Sequence, residues 1–277
     1  MDLKSILEKF AQGQLTLDEA QKQLSIYSIE YVGNNLARLD VGREIRKEVP
    51  EVIFAKGKER SDILQIVLSA VKRRGQVIVS KIQREELFKL CNSLKKRNLD
   101  LEIGKRSTTI LVFDSSHSWK KTGAKIGILS AGTSDIGIAE EARLVAKAMG
   151  CEAILNYDVG IAGIHRLFPA LEEMINENVD AIVVVAGMEG ALASVVSSMV
   201  NIPIIGVPTS VGYGFGSDGI AALASMLQSC TFGLAVVNID NGIGAGAFAA
   251  SIANRMARKN FEHSNNNIKI RNIMKNR

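Results

Sequence analysis

Five short apolar runs alternate with five helix-like segments in the second half of the chain, and this alternation is the strongest constraint on the fold. The runs are KIGILSAG, CEAILNYD, DAIVVVAG, IPIIGVP and LAVVNID, and a segment of helical spacing follows each of them. Short, continuous apolar strands that alternate with helices are typical of parallel sheets covered on both faces. Because crossovers between parallel strands are right-handed, the pattern predicts a doubly wound α/β three-layer sandwich.

The composition changes at residues 115–125, SSHSWKKTGAK, where we place a domain boundary. The ranges predicted from it are a smaller N-terminal α+β domain, 1–121, and a sandwich domain, 122–258. The final segment, 259–277, is polar, asparagine-rich and basic, and is predicted to be a disordered tail.

Local signals place several elements in the N-terminal domain. Thr16 and Glu19 have the spacing of a capping box at the start of a helix. A second helix is predicted from an N-cap at Ser61 to a stop at Gly75. In the sandwich domain, Thr133 or Ser134 is predicted to cap the first helix.

Charge and hydropathy disfavour several functional classes. The net charge is +5, but residues 126–254 contain only one lysine, Lys147, and no basic stripe interleaved with aromatic residues. Nucleic acid is therefore the weaker partner hypothesis. The apolar runs are shorter than the roughly 20 residues of a membrane span, and the N-terminus lacks a signal-peptide core, so we expect a cytoplasmic protein with no membrane partner. Three dispersed cysteines make a disulfide framework or structural zinc site improbable.

In an open α/β sheet, ligands bind beyond the carboxyl ends of the strands. Five loops of this chain follow predicted strands, and all are rich in glycine and small hydroxyl residues; they span 130–135, 158–166, 186–190, 208–219 and 238–246. Such loops let backbone N–H groups approach an anion closely. A phosphate or carboxylate site is predicted here, although a glycine taken singly is more often a feature of a tight turn. The fingerprint GxGxxG is absent after the first strand, which disfavours an ordinary Rossmann dehydrogenase.

The first loop contains Ser130, Thr133, Ser134 and Asp135. These residues predict either a helix cap with an acid favourable to the helix dipole or a phosphate cradle whose acid holds a ribose hydroxyl or a metal. Both interpretations hold together, since a cap needs only one side chain.

Two further loops contain ionisable candidates. His165 and Arg166 are predicted either to bind phosphate and move protons or to form a surface pair at a helix start. Glu189 lies between Gly187 and Gly190, just after a buried strand. It is predicted to face the crevice as a general base or acid, the alternative being a solvated first-turn glutamate.

Cys230 follows a helix and precedes the last strand, on the side of the unit away from the expected crevice. By pattern alone it is more readily a small buried hydrophobe than a nucleophile. Cys91 and Cys151, on an amphipathic helix and at a strand start, are predicted to be inert for the same reason. Periodicity does not decide the role of Cys230.

A longer set of motifs resembles the LarB family, which begins nickel-pincer nucleotide synthesis. It comprises SAGTSD, DVGIAGIHRL, VVVAGMEGALASVV, IPIIGVPTSVGYGFGSDGIAALASMLQSC and VVNIDNGIGAGAFAA. The range 122–258 is also similar to aminoimidazole ribonucleotide (AIR) carboxylase, the PurE family, in its order of loops. The N-terminal LDVGREIRKEVPEVIFAKGK resembles the LarB N-terminal region only.

The resemblance implies a specific activity. LarB-like proteins carboxylate C5 of the pyridinium ring of nicotinic acid adenine dinucleotide and hydrolyse its phosphoanhydride, giving pyridinium-3,5-biscarboxylic acid mononucleotide and AMP. Cys230 matches the family's nucleophile, and Glu189 is the candidate base. The other expected substrate-binding residues are Ser130, Thr133, Ser134, Asp135, Asp158, His165, Arg166, Gly187, Met188, Ser210, Gly212, Tyr213 and Asn241.

The resemblance also implies partners. CO2 or bicarbonate would be the co-substrate and Mg2+ would assist hydrolysis, with Asp135 and Asp158 as possible contacts and no organic cofactor. NAD would serve as a substrate analogue. A homo-oligomer, possibly an octamer, would let a segment of one subunit complete another's site.

Two alternatives stay open. One is a plain AIR carboxylase or mutase of purine synthesis, which Cys230 and the additional N-terminal domain disfavour. The other is a non-catalytic nucleotide-binding protein, for which Cys230 and Glu189 would be dispensable to binding.

Overall fold

The computed structural model describes residues 3–33 and 36–275, and side chains throughout these ranges except those of residue 44 and residues 262–275. The chain divides into two compact units. The first comprises Met1–Ile103 and Thr108–Ser118, and the second comprises Gly104–Ser107 and Trp119–Arg277. The second unit therefore includes a four-residue turn that the contiguous predicted ranges assign to the N-terminal domain.

The first unit contains a two-stranded antiparallel sheet and a four-stranded mixed sheet. Its elements are α1 (Leu3–Ala11), α2 (Leu17–Leu24), β1 (Ile29–Val32), β2 (Ala37–Asp40), α3 (Arg43–Lys47), β3 (Val52–Phe54), α4 (Arg60–Arg74), β4 (Gln76–Ser80), α5 (Arg84–Lys95), β5 (Leu99–Ile103) and β6 (Ile110–Asp114). The larger sheet has the order β3-β4-β6-β5, in which only β3 and β4 are parallel. Apolar side chains of α4, α5, β4 and β6 form a core of this unit.

Two helix signals in this unit have different outcomes. The capping box at Thr16 is confirmed, since Thr16 and Glu19 exchange side-chain and backbone hydrogen bonds. The predicted N-cap at Ser61 is wrong: α4 begins at Arg60 with Glu59 as N-cap, so Ser61 already lies in the first turn. Its hydroxyl donates to the neighbouring carboxylate of Asp62 at 3.3 Å instead of capping.

The second unit is the predicted sandwich. Its elements are β7 (Lys125–Ser130), α6 (Ile136–Ala148), β8 (Glu152–Asn156), α7 (Leu167–Asn176), β9 (Ile182–Ala186), α8 (Ala191–Met199), β10 (Ile204–Pro208), α9 (Ile220–Leu227), β11 (Leu234–Val236) and α10 (Gly242–Lys275). The strands are all parallel, in the order β11-β10-β9-β7-β8. Both β9 and β10 are buried along their whole length, as expected for strands covered on two faces. The predicted fold class is confirmed.

Two details of this unit differ from the sequence expectations. Helix α6 begins at Ile136 with Asp135 as N-cap, so neither Thr133 nor Ser134 caps it. Helix α10 continues to Lys275 and thus gives helix, not a separate irregular segment, over residues 259–275 of the predicted tail.

In the part of the chain that the structure describes, no helix is both long and apolar enough to cross a membrane.

Candidate functional site

The five glycine-rich loops follow the carboxyl ends of β7, β8, β9, β10 and β11. Because these strands are parallel, the loops all emerge at the same end of the sheet. The structure thus brings the acidic and hydroxyl candidates to one end of the second unit, which we call the carboxyl end.

Asp135 is a buried residue whose side chain links two of these loops by hydrogen bonds. The side chain is only 3% exposed, and its carboxylate accepts hydrogen bonds from the Gly132 N–H at 2.8 Å and the Thr209 hydroxyl at 2.6 Å. Burial raises the pKa of Asp135, although the bonds from Thr209 and Gly132 oppose this effect, and the nearby charge of Asp240 adds to it. Asp135 therefore holds the first loop against the fourth.

The hydroxyl residues of the first loop have separate environments. Ser130 is fully buried, and its hydroxyl accepts a hydrogen bond from the N–H of Asp158 at 3.3 Å. Thr133 and Ser134 are exposed and do not cap the helix, so their hydroxyls are accessible to a ligand.

The second loop contains an ion pair. Asp158 has a left-handed backbone, with φ of 61°, and its Oδ2 accepts a hydrogen bond from Nη1 of Arg166 at 2.6 Å. Both side chains are partly exposed, and His165 beside them is exposed. An anion at this place would meet an arginine that is already oriented by a carboxylate.

The backbone of the third loop fixes the position of Glu189. Met188, with φ of 52°, donates its N–H to the carbonyl oxygen of Val211 at 2.9 Å. A Cβ at Gly187 would lie 2.2 Å from that same oxygen, so only glycine permits the approach. Glu189 is exposed on this constrained turn, which agrees with the crevice hypothesis and with the alternative of a solvated glutamate alike.

The fourth and fifth loops are joined by Asp240, which sequence reasoning missed. Its carboxylate accepts hydrogen bonds from the Ser210 N–H at 2.9 Å and the Ser210 hydroxyl at 2.7 Å. Asn241 caps α10, because its Oδ1 accepts the N–H of Gly244 at 2.8 Å. Gly212 and Tyr213 are exposed, the tyrosine to 81%.

Cys230 is exposed, so the alternative interpretation of it as a small buried hydrophobe does not hold. It lies just before β11, at the amino ends of the strands and therefore opposite the loop that contains Glu189. Its position in the chain therefore does not place Cys230 among the loops of the carboxyl end.

The other two cysteines behave as predicted. Both are buried, and burial raises the pKa of the Cys91 thiol and raises that of Cys151 to about 12. Neither sulfur is available as a thiolate near neutral pH. Cys230 differs from both in being exposed.

A network of hydroxyl groups holds the segment around Cys230. Ser229 and Thr231 are hydrogen bonded to each other at 2.8 Å, and each is bonded to one serine of α8. Ser194 donates to Ser229 at 2.8 Å, and the Ser197 and Thr231 hydroxyls are 2.5 Å apart. The network anchors the residues on both sides of Cys230 and leaves the cysteine itself exposed.

The expected metal contacts do not form a metal centre. In the described ranges, no group of three or more histidine, cysteine, aspartate or glutamate residues is placed to hold a metal ion. Both carboxylate oxygens of Asp135 accept hydrogen bonds, and Asp158 is paired with Arg166. These two acids do not fit a resident Mg2+ site.

Comparisons with known proteins agree with this architecture. The family model of AIR carboxylase matches residues 125–273, and that of the LarB/PurE-like N-terminal domain matches residues 30–112. An uncharacterized protein of Methanocaldococcus jannaschii is 49% identical over 258 residues, which are 92% of this chain and 98% of the relative.

Two N5-carboxyaminoimidazole ribonucleotide mutases are more distantly related. The enzyme of Methanocaldococcus jannaschii is 33% identical over 46% of this chain and 77% of its own length. That of Thermotoga maritima is 26% identical over 46% of this chain and 74% of its own length. Together with the two domain matches, these similarities show that the chain belongs to the LarB family of carboxylase-type enzymes and that its second half is a PurE-like AIR carboxylase domain.

Proposed function

We propose that this enzyme carboxylates C5 of the pyridinium ring of nicotinic acid adenine dinucleotide and hydrolyses its phosphoanhydride. The products are pyridinium-3,5-biscarboxylic acid mononucleotide and AMP, as in the first step of nickel-pincer nucleotide synthesis. The observation that carries the proposal is the exposure of Cys230, on a segment that is otherwise anchored by hydroxyl groups.

A thiol explains how an electron-poor ring can attack CO2. The thiolate of Cys230 forms a C–S bond to the pyridinium, and the ring π-electrons move to the nitrogen to give a neutral enamine. C5 of the enamine then forms a bond to CO2, and a base removes the C5 proton. Expulsion of the thiolate restores the aromatic pyridinium, so the net change is the replacement of a proton by a carboxylate.

Glu189 is the residue we assign as that base. It is exposed at the carboxyl end, and the turn around it is fixed by the bond between Met188 and Val211. A positioned general base contributes typically about 10²- to 10⁴-fold to a rate.

The separation of Cys230 from Glu189 leads us to propose a homo-oligomeric site, in which Cys230 of one copy reaches the carboxyl end of another. Cys230 precedes β11, which is an edge strand of the sheet. Large apolar side chains are exposed near both ends, including Phe215, Leu227 and Phe232, the last to 95%. A second copy of the chain would cover such side chains. An octamer is one closed assembly that meets this requirement.

The remaining partners are also proposals. CO2 or bicarbonate is the co-substrate, and no organic cofactor is needed for this chemistry. Since Asp135 and Asp158 do not fit a resident site, any Mg2+ would be bound mainly by the phosphate oxygens of the substrate. We assign no residue to the activation of water.

The test is intact-protein mass spectrometry of the wild type, Cys230→Ala and Glu189→Gln after incubation with nicotinic acid adenine dinucleotide or NAD. We expect a mass increase equal to the ligand for the wild type and Glu189→Gln and none for Cys230→Ala. With bicarbonate, only the wild type should release AMP and the biscarboxylic acid at an appreciable rate. Absence of an adduct in a wild type that binds the ligand contradicts the proposal.

The second candidate is an AIR carboxylase or mutase, which the mutase relatives favour. It predicts turnover of aminoimidazole ribonucleotide for a carboxylase, or of N5-carboxyaminoimidazole ribonucleotide for a mutase, by wild type and Cys230→Ala alike. A non-catalytic nucleotide-binding protein predicts unchanged ligand binding in Cys230→Ala and no product from any variant.

A further inference from the structure

The turn Gly104–Ser107 is a basic element of the second unit that the proposed mechanism does not use. It contains Lys105 and Arg106, whose side chains are exposed. Nη1 of Arg106 donates to the carbonyl oxygen of Thr133 at 3.0 Å. Arg106 therefore lies against the first loop of the carboxyl end, where Thr133 and Ser134 are exposed.

A buried carboxylate holds the turn in place. Glu140 of α6 is 4% exposed and accepts the backbone N–H of Lys105 at 3.0 Å, as well as bonds from Arg143 and from the Tyr157 hydroxyl. The ammonium of Lys105 lies 5.6 Å from the centre of the Tyr157 ring, a cation–π distance. Since Tyr157 directly precedes Asp158, Lys105 lies near the start of the second loop as well.

The approach of the turn to α6 depends on a glycine. A Cβ at Gly137, in the first turn of α6, would lie 2.7 Å from the carbonyl oxygen of Arg106. Arg106 itself has a left-handed backbone, with φ of 56°. The turn therefore stays close to the first loop although the left-handed backbone of Arg106 is energetically unfavourable.

We propose that this turn is a second phosphate-binding element, in which the Arg106 guanidinium, assisted by the Lys105 ammonium, binds the phosphate of the adenylate half of a dinucleotide. The inference rests on the proposed function, because it takes the substrate to be a dinucleotide. Arg166 and the first-loop hydroxyls then serve the phosphate of the pyridinium half. Of the five N–H donors of Arg106, one is used by Thr133, which leaves donors for an anion.

The comparisons support this division. The AIR carboxylase match begins at residue 125, whereas the LarB-type N-terminal match, 30–112, includes the turn. The mutase relatives, which by name act on a ribonucleotide, resemble only 46% of this chain. A ribonucleotide with a single phosphate needs one anion site, and a dinucleotide needs a second. The turn would supply it.

The experiment measures the affinity of the full-length protein for nicotinic acid adenine dinucleotide and for nicotinic acid mononucleotide by calorimetry at fixed ionic strength. The variants are Arg106→Ala, Arg106→Lys and Lys105→Ala. Arg255→Ala, an exposed arginine of α10, is the matched control.

We expect Arg106→Ala to weaken dinucleotide binding by about ten- to a hundredfold and mononucleotide binding by about twofold or less, since one charge-assisted contact is lost. Arg106→Lys should fall between Arg106→Ala and the wild type because it retains the charge but not the planar fork. Lys105→Ala should have a smaller effect of the same selectivity, and Arg255→Ala should have none.

Equal losses for both ligands would reveal a merely structural turn and overturn the inference, as would unchanged binding in Arg106→Ala. Those outcomes leave the proposed function intact if the wild type still forms the Cys230 adduct. A wild type that binds neither ligand overturns both proposals.

Discussion

The two ends of the parallel sheet in the second unit are built with different chemistry. At the carboxyl end, the loops are held by carboxylates, with Asp135 bonded to Thr209 and Asp240 bonded to Ser210. At the amino end, the Cys230 segment is held by neutral hydroxyl groups. The aspartates hold these loops in position, and Arg166 is a cation there that can meet an anionic substrate. A neutral, hydroxyl-bonded segment can present a thiol on a surface that a second copy must approach. This difference motivates the proposal that ligand binding and nucleophilic attack use separate surfaces of the chain.

The largest expected effect is on product formation, when Cys230 and Glu189 are removed singly and the two variants are then combined in one assembly. Cys230→Ala and Glu189→Gln should each reduce product formation by at least about 100-fold. Co-expression of the two variants should restore about a quarter of the wild-type rate, since random assortment pairs an intact Cys230 with an intact Glu189 in about one site of four. Purified mixed assemblies and each variant expressed alone would be assayed for AMP release. Failure of the mixture to exceed either variant would show that the two residues act within one copy.

The next effect concerns the support of the carboxyl end by Glu140. Burial by itself raises the pKa of this carboxyl, but the hydrogen bonds from Arg143, Tyr157 and Lys105 outweigh burial, and the pKa is lowered. Its contribution to stability is therefore full above the unfolded-state pKa, about 4.3, and is lost as pH falls through the lower folded-state value. Glu140→Gln should reduce the free energy of unfolding at pH 7 by about 2–4 kcal/mol.

The measurement is urea unfolding of wild type and Glu140→Gln at pH 7 and at progressively lower pH. The difference should shrink as the pH falls below about 4. Glu172→Gln, at an exposed position of α7, serves as control and should change little. A deficit that is the same at every pH would mean that the carboxylate charge is not what stabilises this region.

A smaller effect is expected from the hydroxyl network at the amino end. Thr231→Val preserves shape but removes the hydroxyl that contacts Ser197 and Ser229. We expect a loss of about 1 kcal/mol in unfolding free energy and a several-fold slower formation of the Cys230 adduct. Ser198→Ala is the control, because it removes an exposed hydroxyl from α8, the helix that contains Ser197. Equal adduct rates in all three proteins would separate the network from nucleophile positioning.

The smallest stability effect should come from Asp135, and its dependence on pH is opposite to that of Glu140. Because burial raises the pKa of Asp135, the native state retains this proton to higher pH than the unfolded chain does. The ionised group then costs stability as pH rises from its ordinary pKa, about 3.9, through the raised value. Asp135→Asn should therefore gain stability relative to the wild type across that window and differ from it by about 1 kcal/mol or less at pH 7. A relative stability that falls with rising pH would contradict this sign.

The sequence predicted those parts of the fold that depend on continuous local patterns. All five strands of the second unit are apolar runs, and their loops were found because parallel strands share a carboxyl end. In the first unit, β5 has the sequence LDLEI, in which apolar and acidic residues alternate with the strand period, yet no strand is predicted there or at the short β1, β2 and β3. Local pattern is a weak signal when a strand is short and partly exposed.

The contacts that organise the site could not be predicted in the same way. The bond between Asp135 and Thr209 joins residues 74 positions apart, and that between Ser210 and Asp240 joins residues 30 apart. Neither contact produces a periodic pattern of residues from which it could be predicted. The exposure of Cys230 could not be predicted either. Free cysteine is commonly a small buried residue, so the sequence pattern favours burial although the side chain is exposed.

The left-handed backbone of Met188 has a consequence for protein engineering. A non-glycine residue in this conformation costs roughly 1–2 kcal/mol relative to glycine, and the Met188 side chain is itself exposed. A library selected only for folded protein should therefore accept glycine at this position. A library selected for product formation should reject glycine at position 188 if the Met188 side chain, next to Glu189, is needed for activity. Disagreement between two such selections would outline the functional surface of the carboxyl end without a bound ligand.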